Sequence, residues 1–175
     1  MGFKHIPFGT LEEFNVIIEI PQGSQDKYEY REDLDLIELD RVLFTAQRYP
    51  CNYGFIPQTR AEDGDHSDVL LFSTNPFFHG ALVKSRAIGF MKMDDSGEVD
   101  DKILAVPLND ARFASVQSLA DLSDHSPKEI QNFFETYKLL QNKEVKVTGF
   151  EPKEKAIEYL QKTLDVYSNE QRLNI

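Results

Sequence analysis

Residues Asp63-Gly64-Asp65-His66-Ser67-Asp68 place three carboxylates within six positions, and Asp95 and Asp100 lie in a second acidic stretch that Lys102 follows. Carboxylates at this density repel one another unless cations sit among them. Gly64 lets the backbone bend so that several oxygens can converge on one point. An all-oxygen ligand set favours hard ions such as Mg²⁺, Mn²⁺ or Ca²⁺ over zinc or copper. Hard divalent ions next to Lys, Arg and Tyr are what phosphate chemistry requires. The plainer reading of the first stretch is a solvated turn, since Asp and Gly are favoured in turns for local backbone reasons. A calcium loop of the EF-hand type is excluded, because its sixth position is Asp68 rather than Gly and its twelfth is Thr74 rather than Glu.

The elements that must hold these residues read as short strands first and helices last. Residues Phe14 to Ile20 are a β-branched run stopped by Pro21 and Gly23, a buried strand that places Glu19 among apolar neighbours. Tyr28 to Tyr30, Leu34 to Arg41, Val69 to Phe72, Ala81 to Met93 with a break at Gly89, and Lys102 to Pro107 read as further strands. Many short strands punctuated by Gly and Pro suggest a small barrel. Ser126-Pro127-Lys128-Glu129 predicts a capped helix start, with Ile130, Phe133, Phe134, Tyr137 and Leu140 on one apolar face. Val145 to Val147 fits a closing strand, and Pro152 to about Tyr167 a final helix with Ile157, Leu160 and Leu164 inward. No repeat, low-complexity tract or linker is present, so residues 1–175 read as a single domain.

A chain of 175 residues can bury a core without staples, and 41% hydrophobic with 28% charged residues is ordinary for a soluble protein. The net charge of -11 argues against nucleic acid as a partner, which needs a positive face. Cys51 stands alone, so a reducing compartment fits, and with no evident signal peptide or apolar run of membrane-spanning length the expected location is the cytoplasm. The histidines at 5, 66, 79 and 125 have no ligand spacing, and Cys51 reads as a packed small apolar group.

Eight segments taken together resemble the soluble inorganic pyrophosphatases of the first, Mg²⁺-dependent family. They are Ile18-Glu19-Ile20-Pro21, Lys27-Tyr28-Glu29, Asp40-Arg41, Tyr49-Pro50-Cys51-Asn52-Tyr53-Gly54, Asp63 to Val69, Lys92 to Lys102, Ala105-Val106-Pro107 and Phe133 to Lys138. Each alone is a weak signal, but eight in family order over Phe14 to Phe150 are specific. The resemblance implies a mainly β protein with α, a five-stranded OB-like barrel flanked by C-terminal helices. It implies hydrolysis of pyrophosphate to two phosphates with several Mg²⁺ per site, Mn²⁺ or Zn²⁺ being substitutes. It also implies a homo-oligomer, a hexamer being favoured in bacteria.

By family position, Asp63, Asp68 and Asp100 would hold the first metal, with Asp68 bridging to a second. Asp65 would be the general base. Asp95 with Asp100 would help bind a metal that arrives with substrate, Glu29 would contact another partly through water, and Glu19 would support the network. Lys27, Arg41, Lys102 and Lys138 would bind phosphate as cations, and Tyr53 and Tyr137 would donate hydroxyl hydrogen bonds. Without the resemblance, Lys27 and Lys138 read as surface lysines, Tyr137 as a core aromatic, Tyr53 as a turn aromatic and Glu19 as a strand residue facing water. Asp94 and Asp101 have no motif role and read as solvated.

The acidic loop departs from the family pattern. Asp-x-Asp-Pro-hydrophobic-Asp is usual, whereas here His66 and Ser67 stand in place of the proline and the apolar residue. Proline narrows the unfolded ensemble, so a more mobile loop with weaker affinity for the first metal is expected. Two other classes compete with a hydrolase. One is a non-catalytic module that holds metal and a phosphorylated ligand on the same fold. The other is an oligonucleotide-binding barrel, which the acidity and the lack of a basic aromatic face disfavour.

Overall fold

A computed structural model describes residues 2–173. Nine strands and two helices follow in order: β1 Phe14–Ile20, β2 Asp26–Arg31, β3 Leu36–Val42, β4 Asn52–Ile56, β5 Ser67–Leu71, β6 Leu82–Asp95, β7 Glu98–Val99, β8 Lys102–Pro107, α1 His125–Thr136, β9 Val145–Pro152 and α2 Lys153–Leu173. The order β1-β4-β5-β8-β6 closes into a ring through β1–β6 pairing, so the expected five-stranded barrel is present, although not as an ideal cylinder. β7 and β9 extend β6, and β2–β3 form a separate hairpin that leans on β1.

Strands buried on both faces feed two apolar clusters, as the period of two requires. Leu70, Leu104 and Val106 pack with Ile130, Phe133 and Phe134 of α1. Their neighbours Val69, Leu71, Ile103 and Ala105 pack with Ala156 and Leu160 of α2.

Two backbone irregularities aim side chains. Ile18 pairs with Gly54 and Ile20 with Tyr53, so Glu19 is the extra residue of a bulge in β1, which redirects its side chain. A Cβ at Gly54 would strike the Ile17 carbonyl, so only glycine permits this approach. In the hairpin that joins β6 to β7, Ser96 (φ 61°) and Gly97 (φ 96°) are both left-handed, the turn that a right-twisted two-residue connection demands.

Several expectations need correction. Gly89 does not break β6; the ladder passes it with a register shift between Ala87 and Gly89. β4 was not expected as a strand, because Asn52, Tyr53 and Gly54 hide a fully buried run behind polar and small types. Helix α1 starts at His125, one residue before the expected cap, and its N-cap residue Asp124 makes no capping side-chain bond. Leu140 lies beyond α1 and is 68% exposed. α2 runs to Leu173; Leu160 is buried and Leu164 packs against the core as expected, but Ala156 rather than Ile157 is buried, together with Thr163. Asp101 is buried rather than solvated, paired with Lys92 and accepting from the Met93 amide at 3.0 Å.

Candidate active site

A cleft of about 450 Å³ at one end of the ring is lined by all of the expected site residues except Arg41. β1 supplies Glu19, β2 supplies Lys27 and Glu29, β4 supplies Tyr53, the loop before β5 supplies Asp63 and Asp65, and β5 itself supplies Asp68. Asp95 ends β6, Asp100 and Lys102 flank the start of β8, and Tyr137 and Lys138 follow α1. Arg41 sits beside this cleft on β3, in register with Lys27.

The parallel pairing of Val69 with Ile103 carries Asp68 alongside Lys102. Lys102 is 1% exposed, and its Nζ donates to Asp68 Oδ2 at 2.7 Å and Asp100 Oδ1 at 2.5 Å while standing 5.5 Å from the centre of the Tyr53 ring. Burial alone would lower the Lys102 pKa, but the two carboxylates raise it, so the ammonium stays charged. The other cations are also paired: Lys27 with Glu29 and Asp40, Arg41 with Asp40, and Lys138 with Asp95. Burial pushes the Asp95 carboxyl up, yet the hydrogen bond and charge of Lys138 leave it below its usual range.

Negative charge nevertheless exceeds positive. Glu29, Asp63, Asp65, Asp68, Asp95 and Asp100 are six carboxylates against the four cations Lys27, Arg41, Lys102 and Lys138, and Glu19 is a seventh acid whose proton folding retains near neutral pH. The excess is visible in two carboxyls. Asp65 is raised by burial and then by the charges of Asp63, Asp68 and Glu29. Glu19 is pushed up to about 8, by burial first and Asp68 second, although it accepts from the Tyr30 amide at 2.6 Å. Among the described residues no three carboxylate, imidazole or thiol groups close on one point; Lys102 stands between Asp68 and Asp100.

Tyr53 donates to Asp68 Oδ2 at 2.5 Å. Its pKa is raised by burial and by Asp68 and Asp100, and that of Tyr137 is raised by burial against the opposing pull of Lys102. Both hydroxyls therefore remain protonated donors near neutral pH. Cys51 is buried, as expected, and pushed up to about 12 by burial, which makes it a poor nucleophile.

The acidic loop has an anchor of a kind that the sequence did not disclose. The His66 ring stacks on Phe55 at 5.2 Å and Tyr30 at 5.8 Å, and its Nδ1 donates to the Thr59 carbonyl at 2.7 Å. Ser67 is fully buried; its amide donates to Thr59 Oγ1 at 2.8 Å and its hydroxyl to Thr163 Oγ1 of α2 at 3.1 Å. Tyr49, Tyr30 and Glu32 also line the cleft and were not expected there as site residues. Only Tyr49 had a signal, its place in the Tyr49 to Gly54 segment.

A family model described as inorganic pyrophosphatase matches residues 16–168. The chain is 42% identical over 156 residues to the inorganic pyrophosphatase of Picrophilus torridus, covering 89% of this chain and 88% of that protein. It is 44% identical over 155 residues to the inorganic pyrophosphatase of Geobacillus stearothermophilus, covering 89% and 93% respectively. The crystal structure of inorganic pyrophosphatase from Thermus thermophilus superposes with a TM-score of 0.92 at 42% identity, covering 96% of this chain and 99% of that one.

Proposed function

The chain belongs to the inorganic pyrophosphatase family, and from that premise we propose how its cleft hydrolyses pyrophosphate to two orthophosphates. The observation that carries this reading is the convergence of seven acidic side chains with Lys27, Lys102 and Lys138 in one cleft, Arg41 standing beside it opposite Lys27. The family is metal-dependent, and the donor set fits: all its atoms are carboxylate oxygens, they carry uncompensated charge, and a lysine ammonium already occupies the gap between two of them.

We take the ion to be Mg²⁺, with Mn²⁺ or Zn²⁺ as substitutes, because an all-oxygen donor set suits a hard cation. Asp63, Asp68 and Asp100 would hold the first ion and Asp68 would also reach a second. Asp95 with Asp100, and Glu29, would hold ions that accompany the substrate. Bound there, divalent ions lower the pKa of a water and screen the charge on phosphorus.

Asp65 accepts the proton of the attacking water. It lines the same cleft as Asp63 and Asp68 without being taken up as a ligand of the first ion, which leaves its oxygens free to accept a proton. The water oxygen bonds to one phosphorus, the bridging P–O bond breaks, and the leaving phosphate carries the charge away. Lys27, Arg41, Lys102 and Lys138 meet that charge by exchanging their present carboxylate partners for phosphate oxygens, and Arg41 can do so bidentately. Tyr53 and Tyr137 add hydroxyl hydrogen bonds. Glu19 does not touch the phosphates; it supports the hairpin through the Tyr30 amide.

The test is phosphate release from pyrophosphate with Mg²⁺, with and without chelator. Release that the chelator abolishes is expected, and none across a range of metals would leave only the binding module. We read residues 1–175 as one domain and the enzyme as a cytoplasmic homo-oligomer, a hexamer first. The exposed Phe44, Leu139 and Leu140 offer apolar surface for assembly. Among the described residues no helix is long and apolar enough to cross a membrane.

A further inference from the structure

Arg60 lies outside every segment that carries the family resemblance, yet its side chain is only 12% exposed and it touches three separate elements. Nη1 donates to Glu32 Oε2 at 3.0 Å, in the turn between β2 and β3, and to the Gly64 carbonyl at 2.7 Å, in the acidic loop. Nε donates to Glu170 Oε2 at 2.9 Å, near the end of α2, and the guanidinium lies 5.6 Å from the centre of the Tyr167 ring. Its own amide donates to the Thr163 carbonyl of α2 at 2.9 Å. A planar fork with several donors can hold three partners in this way, and a lysine cannot.

The three elements are not equivalent. The hairpin carries Lys27, Glu29 and Arg41 on one side of the cleft, and the acidic loop with the start of β5 carries Asp63, Asp65 and Asp68 on the other. Both sides carry acids, Glu29 on the one and Asp63 and Asp65 on the other, and like charges repel. A tie between the sides opposes that repulsion and holds the oxygens at one separation.

We propose that Arg60 is a positioning residue for metal binding, clamping the hairpin tip, the acidic loop and the end of α2 so that the facing carboxylates keep the spacing a divalent ion needs. The clamp holds the loop in which His66 and Ser67 replace the family's proline and apolar residue, and it makes the C-terminal helix part of the metal site's support. This inference rests on the reading of the loop carboxylates as metal ligands.

The experiment measures Mn²⁺ binding to substrate-free protein by calorimetry, together with kcat and KM for pyrophosphate at several Mg²⁺ concentrations. Arg60→Met should weaken Mn²⁺ binding by up to about 10-fold, the low end of what removing a partner bonded to a ligand itself costs, because Arg60 acts on the ligands through the loop and the hairpin. The loss should show in the metal needed for half-maximal rate rather than in kcat at saturating metal. Arg60→Lys should recover part of the affinity. Glu32→Gln and Glu170→Gln change half-exposed groups that a folded protein tolerates, and each should give a smaller loss. Adding Arg60→Met to the Glu32→Gln/Glu170→Gln pair should cost less than Arg60→Met alone, because the pair has already loosened two of the three ties and only the bond to the Gly64 carbonyl is left to lose. Folded variants with a lower Tm and wild-type Mn²⁺ affinity would overturn the proposal. A wild-type protein that binds no Mn²⁺ would instead sink the reading of the loop itself.

Discussion

Replacing Glu19 by Gln should remove most of the pH dependence of the metal-free protein's stability between pH 5 and 8. Glu19 is 6% exposed, beside Asp68, and its pKa rises from 4.5 to about 8 on folding. The folded state thus binds a proton that the unfolded state has released throughout that window. Stability attached to this group is complete below pH 4.5 and drains away as pH rises through 8. The change in pKa from 4.5 to about 8 amounts to about 5 kcal/mol in total, of which about 3 kcal/mol is gone by pH 7. Gln copies the neutral acid in shape and keeps an oxygen for the Tyr30 amide, but it cannot ionise. Urea unfolding with chelator at several pH values, wild type against Glu19→Gln, gives the difference directly and cancels other titrating groups such as His66. The variant should be the more stable at pH 8 and nearly equal at pH 5. Adding Mg²⁺ to the wild type should flatten its curve in part, since cations at Asp68 remove the second cause of the Glu19 rise and leave the first, burial. Parallel curves for the two proteins without metal would refute the reasoning.

Asp65→Asn should lower turnover by about 10²- to 10⁴-fold, the usual worth of a positioned base, while thermal unfolding shows no loss of stability; retained full activity would place the proton elsewhere. Lys102→Met leaves Asp68 and Asp100 facing each other without their shared ammonium. It should destabilise the metal-free protein by at most about 3 to 5 kcal/mol, less to the extent that the quarter-exposed carboxylates reach water, and Mg²⁺ should restore part of the loss in a denaturation series. The double change His66→Pro with Ser67→Leu restores the family pattern but should weaken metal binding by calorimetry. It deletes the ring stack and puts a larger side chain where Ser67 is fully buried and bonded to Thr163; tighter binding would show the present anchor to be inferior.

How far residues could be read without coordinates follows from the range of the interactions involved. β1, with its unbroken β-branched run, and the strand that begins at Lys102 were legible because burial on both faces demands apolar residues in succession. β4 was not, because what makes Asn52, Tyr53 and Gly54 a strand lies elsewhere in the chain: Asn52 is saturated by Gln22, Phe77, Ser73 and Asn75, and Gly54 by the approach of Ile17. Leu140 was misplaced because its helical spacing continues past Thr136, where the helix has already ended.

The amino-acid order alone determined the chemistry available: which acids, lysines, arginine and tyrosines exist, how densely the acids cluster, and which fold family their segments match. Only the tertiary structure decided which of them meet. Lys102 reaches Asp68 through a parallel register 34 residues apart, and Arg60 reaches Glu170 across 110. Charge and hydrogen bonding act through space over a few ångströms. The spacing of letters along a chain constrains such distances only within one turn of helix or a few residues of strand.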